Sequence, residues 1–379
     1  MQETPLTAIL MIRNTHPDNF GGGEIYQLTL ANELKKNNIT PGIVSSSTKL
    51  LSEAKRQKIK SIRAPYLKQQ NWSSWRNLLL PIYLLWQTYL YFWYKNLFRK
   101  HRPTAINIQS RDDWIAATLA AKKLNIKVLW TDHADFRGWV FQNINHKFKN
   151  PIAKTILKLA DIPTKIIMIS DFECKFFEKS ILPKKLDNIV TIKNGATDQS
   201  KKYQGIKPKK QQICFLARIE ERKGIKELIS AFSNLAKDFP KATLEIYGDG
   251  PLREFCQKHQ SSQIHFHGFN DKPLKAIAES EIFVLPSHIE GLSLTLIDAT
   301  MLGKAIIATD IDGNPEVVEH QKTGLLVPVK QPKALEEALR LLLSSPKLCQ
   351  KFGHAARQKY EREFNFSNTV RNQFLPLLK

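Results

Sequence analysis

Residues 285–318 read LPSHIEGLSLTLIDATMLGKAIIATDIDGNPEVV. The apolar run IFVLP (282–286) ends in a polar turn that reaches Gly291. A helical period then covers Ser293–Leu302, and a second apolar run, AIIAT (305–309), closes a strand–helix–strand unit. Short apolar strands that alternate with amphipathic helices predict a parallel sheet covered on both faces. Upstream, ICFLA (213–217), ATLEIYG (242–248) and IHFHG (264–268) extend the same sheet. Helices are expected over 224–239, 251–259, 272–278 and 314–319, and again over 335–343, before Pro346.

The first half repeats the scheme with AILMI (8–12), GIVS (42–45), AINIQ (105–109), KVLWT (127–131) and IIMIS (166–170). Helical stretches at Glu24–Lys36 and Trp114–Leu124 lie between them. Two such blocks predict an α/β protein of two doubly wound, Rossmann-like domains. The expected division is a first domain over 1–197, a polar, lysine-rich linker over 198–210 and a second domain over 211–360. A final helix over 361–379 is expected to pack back on the first domain. In such sheets ligands gather at the carboxyl ends of the strands, so the expected site is a central cleft between facing domains.

Composition narrows the function. A chain of 379 residues with 42% hydrophobic residues is globular. The four cysteines, Cys174, Cys214, Cys256 and Cys349, are scattered, which fits a reducing, cytoplasmic setting and argues against a cysteine metal site. Leu6–Ile12 is too short, and lacks the preceding basic residues, for a secretory leader. The formal net charge of +22 calls for anionic partners: phosphorylated small molecules, an anionic membrane surface or nucleic acid. Basic residues cluster at 55–68, 147–154 and 201–210, where each run also fits a solvated surface. No nucleic-acid-binding motif is present, and none of these runs gathers on one element, so no nucleic acid is expected.

Between Arg76 and Lys95 there is no charge, and the text LLLPIYLLWQTYLYFWY is rich in Leu, Trp and Tyr. Pro81, Gln87 and Thr88 argue against a membrane span. Trp72 and Trp75 on one side, with Arg99, Lys100 and Arg102 on the other, suit a buried or interfacial helix.

Candidate chemistry lies just after the strands. Gly21-Gly22-Gly23-Glu24 follows the first strand and opens a helix, which allows close approach of an anion to free N–H groups. The same glycines also fit a plain turn. His133, in TDHAD after KVLWT, is placed to touch a hydroxyl, or is a structural histidine. Arg218 follows ICFLA, and Lys223 stands at the next helix start; two cations there suit a diphosphate. Glu290 stands in the turn after IFVLP, and Asp298 lies eight positions on, within the helix. Glu290 suits a sugar hydroxyl and Asp298 the vicinal diol of a ribose.

On these residues the second half resembles the retaining GT-B glycosyltransferases of family 4, also called group 1. The matching pieces are ARIEERKG, LEIYGDGPLRE, IHFHGF and the stretch from LPSHIEGL to KTGLLV. The first half resembles the family more loosely, through GGGE, TDHAD, ISDFECKFF and IKNGAT. The resemblance implies that Arg218 and Lys223 neutralise the donor diphosphate, with Gly22 and Gly23 lining its approach. It implies that Glu290 holds hydroxyls of the transferred sugar, that the N–H groups of Gly291 and Leu292 meet phosphate, and that His133 sits by the sugar. Asp298 falls where the family carries a glutamate for ribose and is one methylene shorter. Ala217 replaces a usual glycine, and Gln109 a frequent histidine.

The implied reaction is retaining transfer of a sugar from a nucleoside-diphosphate sugar to a saccharide or lipid-linked acceptor, with no bound metal and no cofactor. Its expected setting is bacterial cell-surface polysaccharide or lipopolysaccharide synthesis, in the cytoplasm and peripherally at the membrane. A sugar phosphorylase or a nucleotide-sugar epimerase on the same fold is the competing expectation.

Overall fold

A computed structural model describes residues 8–18, 20–67, 80–133, 151–180 and 186–379. Trp72, Trp75, Arg76, Asp135, Lys147 and Lys149 lie outside the described residues. The chain forms two compact units. One is Met1–Ile192 with Ser367–Lys379, and the other is Lys193–Phe366.

The first unit is built on seven strands: β1 (Ala8–Ile12), β2 (Thr40–Ser45), β3 (Lys60–Arg63), β4 (Ala105–Ile108), β5 (Lys127–Asp132), β6 (Lys165–Met168) and β7 (Ile189–Thr191). They pair in the order β3-β2-β1-β4-β5-β6-β7. Every pairing is parallel. The connecting helices are α1 (Gly22–Lys36), α2 (Thr48–Arg56), α3 (Leu80–His101), α4 (Arg111–Lys123), α5 (Pro151–Lys158) and α6 (Asp171–Ser180). Burial explains the strands: Ile9, Met11 and Ile12 are fully enclosed, as apolar residues of a doubly covered sheet must be. Trp114 of α4 stacks on Trp130 of β5 at 5.4 Å, and both are buried. Each large side chain so enclosed contributes about 1.5–3 kcal/mol.

α3 buries one stripe, Tyr83, Gln87, Leu90, Tyr94, Leu97 and Phe98. Tyr94 donates to Asp113 Oδ1 of α4 at 2.6 Å, and Gln87 Nε2 donates to the Asp112 carbonyl at 3.1 Å. Among the described residues no helix is long and apolar enough to cross a membrane.

The second unit holds six strands: β8 (Lys209–Leu216), β9 (Thr243–Tyr247), β10 (Ile264–Gly268), β11 (Ser280–Leu285), β12 (Ala305–Thr309) and β13 (Gly324–Val327). Their order is β10-β9-β8-β11-β12-β13, again with parallel pairing throughout. The helices are α7 (Ile225–Leu235), α8 (Arg253–Lys258), α9 (Pro273–Glu279), α10 (Leu294–Met301), α11 (Asn314–Val317), α12 (Pro332–Ser344) and α13 (Pro346–Lys359).

The boundaries at 192/193 and 366/367 have a physical cause. Arg357 grips Asp198 at 2.6 Å, Tyr360 donates to the Ala196 carbonyl at 2.7 Å, and a Cβ on Gly195 would lie 2.6 Å from the Phe364 carbonyl. These contacts fasten 195–198 to 357–366 within one unit. The stretch 198–210 therefore carries a short 3₁₀ turn (Ser200–Tyr203) and the start of β8.

Candidate active site

In each sheet the strand order reverses beside the first strand of its unit, between β1 and β4 and between β8 and β11. Such reversals leave a crevice at the carboxyl ends of the strands.

At the second crevice, β8 leads through Arg218 into a 3₁₀ turn, Glu221–Lys223, and then Gly224 at φ 70°. A side chain on Gly224 would place its Cβ 1.9 Å from the Pro286 carbonyl, so the turn after β8 packs directly on the turn after β11. That packing delivers Lys223 Nζ to Glu290 Oε1 at 2.5 Å. Ser287 Oγ donates to the same Glu290 oxygen at 2.8 Å, and the Glu290 N–H donates to Asp312 Oδ2 at 2.9 Å. Gly313 lies tight under the loop; a Cβ there would fall 1.9 Å from the Gly291 carbonyl.

Beyond this loop α10 begins, with Ser293 Oγ accepting the Leu296 N–H. Among the described residues, neither the Gly291 nor the Leu292 N–H donates to a protein acceptor. The open donors and the positive end of the helix favour an anion. Arg218 is 62% exposed and 3.7 Å from Glu220, so its guanidinium stays open to a ligand. Asp298, on α10, makes no side-chain hydrogen bond among the described residues. Burial alone pushes its carboxyl up to about 7.

The first unit's crevice carries groups that the sequence patterns did not single out. Arg13 follows β1 directly. Its Nη1 donates to the Gln109 carbonyl at the end of β4 at 3.0 Å, and its Nε meets Glu24 Oε1 at 2.9 Å. The guanidinium lies over Gly23, where a Cβ would stand 2.1 Å from it. Glu24 turns back to accept the Gly21 N–H at 2.9 Å and so caps its own helix. Burial raises the Glu24 carboxyl, but Arg13 and that N–H outweigh it and hold the group below its usual range. Gly22 and Gly23 are thus the first turn of a helix already seated on a cation–carboxylate pair.

His133 directly follows β5 and packs edge-on against Tyr26 at 4.9 Å. Burial, then Arg13, hold its imidazole well below the usual value, so it is neutral. Its Nε2 and both side-chain polar atoms of buried Gln109 have no hydrogen-bond partner among the described residues.

The structure therefore brings Lys223, Glu290, Gly291 and Leu292 together in the second unit, with Arg218 at the start of the same turn and Asp298 one turn into α10. Gly22, Gly23 and His133 belong to the first unit. Arg13 had the same signal as Arg218, a cation immediately after an apolar strand. Ser287, Asp312 and Gly313 had none, because their roles depend on which loops meet. An Asp-x-Asp spacing is also present at Asp310-Ile311-Asp312, and there the Asp312 carboxylate holds the backbone of Glu290.

Residues 196–359 match the family described as Glycosyl transferases group 1, and residues 20–199 match Glycosyltransferase Family 4. The chain is 23% identical over 288 residues to a glycogen synthase of Mycobacterium tuberculosis, covering 72% of this chain and 68% of that one. Over 143 residues it is 31% identical to an N,N'-diacetylbacillosaminyl-diphospho-undecaprenol alpha-1,3-N-acetylgalactosaminyltransferase of Campylobacter jejuni, covering 37% of each. A glycosyltransferase from Rickettsia africae has the same fold, with a TM-score of 0.78, 19% identity and coverage of 99% of this chain and 98% of that one. Anabaena HepE in complex with UDP and glucose superposes with a TM-score of 0.74 at 16% identity, covering 98% and 99%.

Proposed function

Because the chain belongs to the group 1, family 4 glycosyltransferases of GT-B fold, we propose that it moves a hexosyl group from a nucleoside-diphosphate sugar to a hydroxyl, with retention of anomeric configuration. One observation carries the reading: the β8/β11 crevice joins Lys223 and Glu290 beside the open N–H groups of Gly291 and Leu292. A diphosphate there would accept from Arg218, Lys223 and both N–H groups. Sugar hydroxyls would donate to the Glu290 carboxylate, which Lys223 and Ser287 hold in place.

In the reaction the bond from the anomeric carbon to the diphosphate oxygen breaks as the acceptor oxygen bonds to that carbon. The acceptor proton passes to the departing phosphate. Negative charge grows on the leaving group, so cations already fixed in place lower the barrier most. On the first unit, Gly22, Gly23 and His133 are kept as ligand-facing groups; on the second, Asp298 is kept as the partner of ribose. A lipid-linked saccharide at the membrane is the proposed acceptor. The Campylobacter relative's name describes a lipid-diphosphate acceptor, and the basic charge of this chain suits an anionic surface. The proposed setting is cell-surface polysaccharide or lipopolysaccharide synthesis by a peripheral, cytoplasmic enzyme.

Calorimetric titration with UDP, GDP, ADP and CMP, free and as sugars, tests the donor site. Binding of one nucleoside diphosphate, weakened by Lys223→Ala, is expected. Absence of binding to all of them would overturn the reading. Phosphate-dependent turnover would mark a phosphorylase, and turnover of the nucleotide sugar without release of nucleotide would mark an epimerase.

A further inference from the structure

The inner stripe of α3 is accounted for by packing; the opposite face is not. Eleven large hydrophobic residues are exposed among the described residues, and five of them, Ile82, Leu84, Leu85, Tyr89 and Phe92, stand on this one helix. Ile82, Leu85, Tyr89 and Phe92 recur three and four residues apart, so they share a face. Leu85 is 72% exposed and Phe92 56%. Isolated exposed apolar residues need no explanation, but a contiguous face of them marks an interaction surface.

The same face changes character along its length. Leu85, Phe92 and Arg99 lie seven residues apart, nearly in line, and Arg99 is followed by exposed Lys100 and Arg102. Three apolar turns thus lead into a cationic end. The surrounding sequence reinforces the sign: between Glu53 and Asp112 there is no acidic residue, against twelve lysines and arginines. Lys60 Nζ reaches His101 Nδ1 at 2.8 Å, and burial together with Lys60 and Lys100 keeps that imidazole below its usual value.

We infer that the outer face of α3 docks on an anionic phospholipid bilayer, with Leu85, Tyr89 and Phe92 in the boundary between headgroups and acyl chains and Arg99, Lys100 and Arg102 on lipid phosphates. An apolar face bordered by cations, on a stretch of chain with no acidic residue between Glu53 and Asp112, is complementary to such a surface. The docked helix is fastened inward by Tyr94 to Asp113 and by Gln87 to Asp112, at the first turn of α4, which follows the β4 end of the first unit's crevice. The inference rests on the proposed membrane-borne acceptor for its purpose, but it is tested apart from it.

The full chain is sedimented with vesicles of phosphatidylcholine alone and with added phosphatidylglycerol, at about 50 mM and about 500 mM salt. Binding is expected only to the anionic vesicles at the lower salt. The pair Leu85→Glu with Phe92→Glu should reduce that binding about tenfold or more, and the triple exchange of Arg99, Lys100 and Arg102 to Gln should do so comparably. Both residues of the pair are exposed, so an unchanged melting temperature shows that the variant is folded. Wild-type binding by either variant would overturn the inference. So would a wild-type dimer in light scattering that Leu85→Glu with Phe92→Glu dissociates, because a second copy would then cover the face. Nucleoside-diphosphate titration on the same preparations separates the two claims. Lost vesicle binding with intact nucleotide binding removes only the docking face, and the reverse removes only the donor reading.

Discussion

At the residue scale the decisive pair is Lys223 and Glu290. Lysine 13% exposed against glutamate 9% exposed, 2.5 Å apart, is a pair that the proposed diphosphate would have to compete with and rearrange. Lys223→Ala should lower kcat about 100-fold, the usual loss when one fixed group at a developing charge is removed. It should also lower the melting temperature, since the buried Glu290 carboxylate loses its lysine partner. Adding Glu290→Gln should restore the melt but not the turnover, which steady-state kinetics with thermal shift would separate. Asp298 makes a pH-dependent prediction. Its folded value, about 7, lies above the ordinary 3.8, so its contribution to stability is complete below the ordinary value and is lost as pH rises through 7. Asp298→Asn should therefore melt higher than the parent at pH about 8, with the gap closing toward pH about 4, while nucleoside-diphosphate affinity falls. An equal gap at both pH values would remove the assignment. Lys223 and Glu290 were legible because cations and carboxylates just after apolar strands are local signals. The role of Arg13 was not, because the carbonyl it holds belongs to Gln109, ninety-six positions away.

Among the elements, the interior strands were more legible than most of the edges. β1 and β12 run over the residues that the apolar pattern marks, because a strand enclosed on both faces must be apolar throughout. β10, an edge strand, was marked only by the alternation of Ile264 and Phe266 with histidines. β3 reads KSIR and β7 only IVT; both sit at a sheet edge, half exposed, and carry no such run. β13 reads GLLV, too short to declare itself, and it pairs on one side only. The loop after β11 has a comparable blind spot, since its shape is set by Gly313 from the far end of β12. Gly313→Ala should cost about 1–3 kcal/mol, the usual cost of overpacking. It should also weaken nucleoside-diphosphate binding, because the Gly291 carbonyl must retreat. Gly205→Ala, with open space around its Cβ, should stay within about 0.5 kcal/mol of the parent. Chemical denaturation with calorimetry on both variants checks the contrast.

For the molecule as a whole, an excess of +22 means self-repulsion that added salt relieves. Raising sodium chloride from about 20 to about 200 mM should increase the melting temperature by a few degrees, and an unchanged value would mean that the charges are already paired locally. The division into two units was legible from the repeated alternation of strands and helices. The last segment was expected to return to the first domain, and Ser367–Lys379 does belong to unit 1. The local pattern carries little of that, since Val370 and Phe374 are plainly apolar but nothing in their spacing says which core they enter. They are buried against the first unit, where Val370–Phe374 meets α1. Ending the chain after Phe366 should accordingly lower the stability of the first unit, read by proteolysis, and leave nucleotide binding by the second. The same arrangement sets an order of events on the ribosome. Residues 193–366 are made, and can close their sheet, before 367–379 exist, while the first unit waits for its final piece. The half of the protein translated first is thus the half finished last, and nascent chains stalled before Ser367 would carry an incomplete first unit beside a second unit whose sequence is already whole.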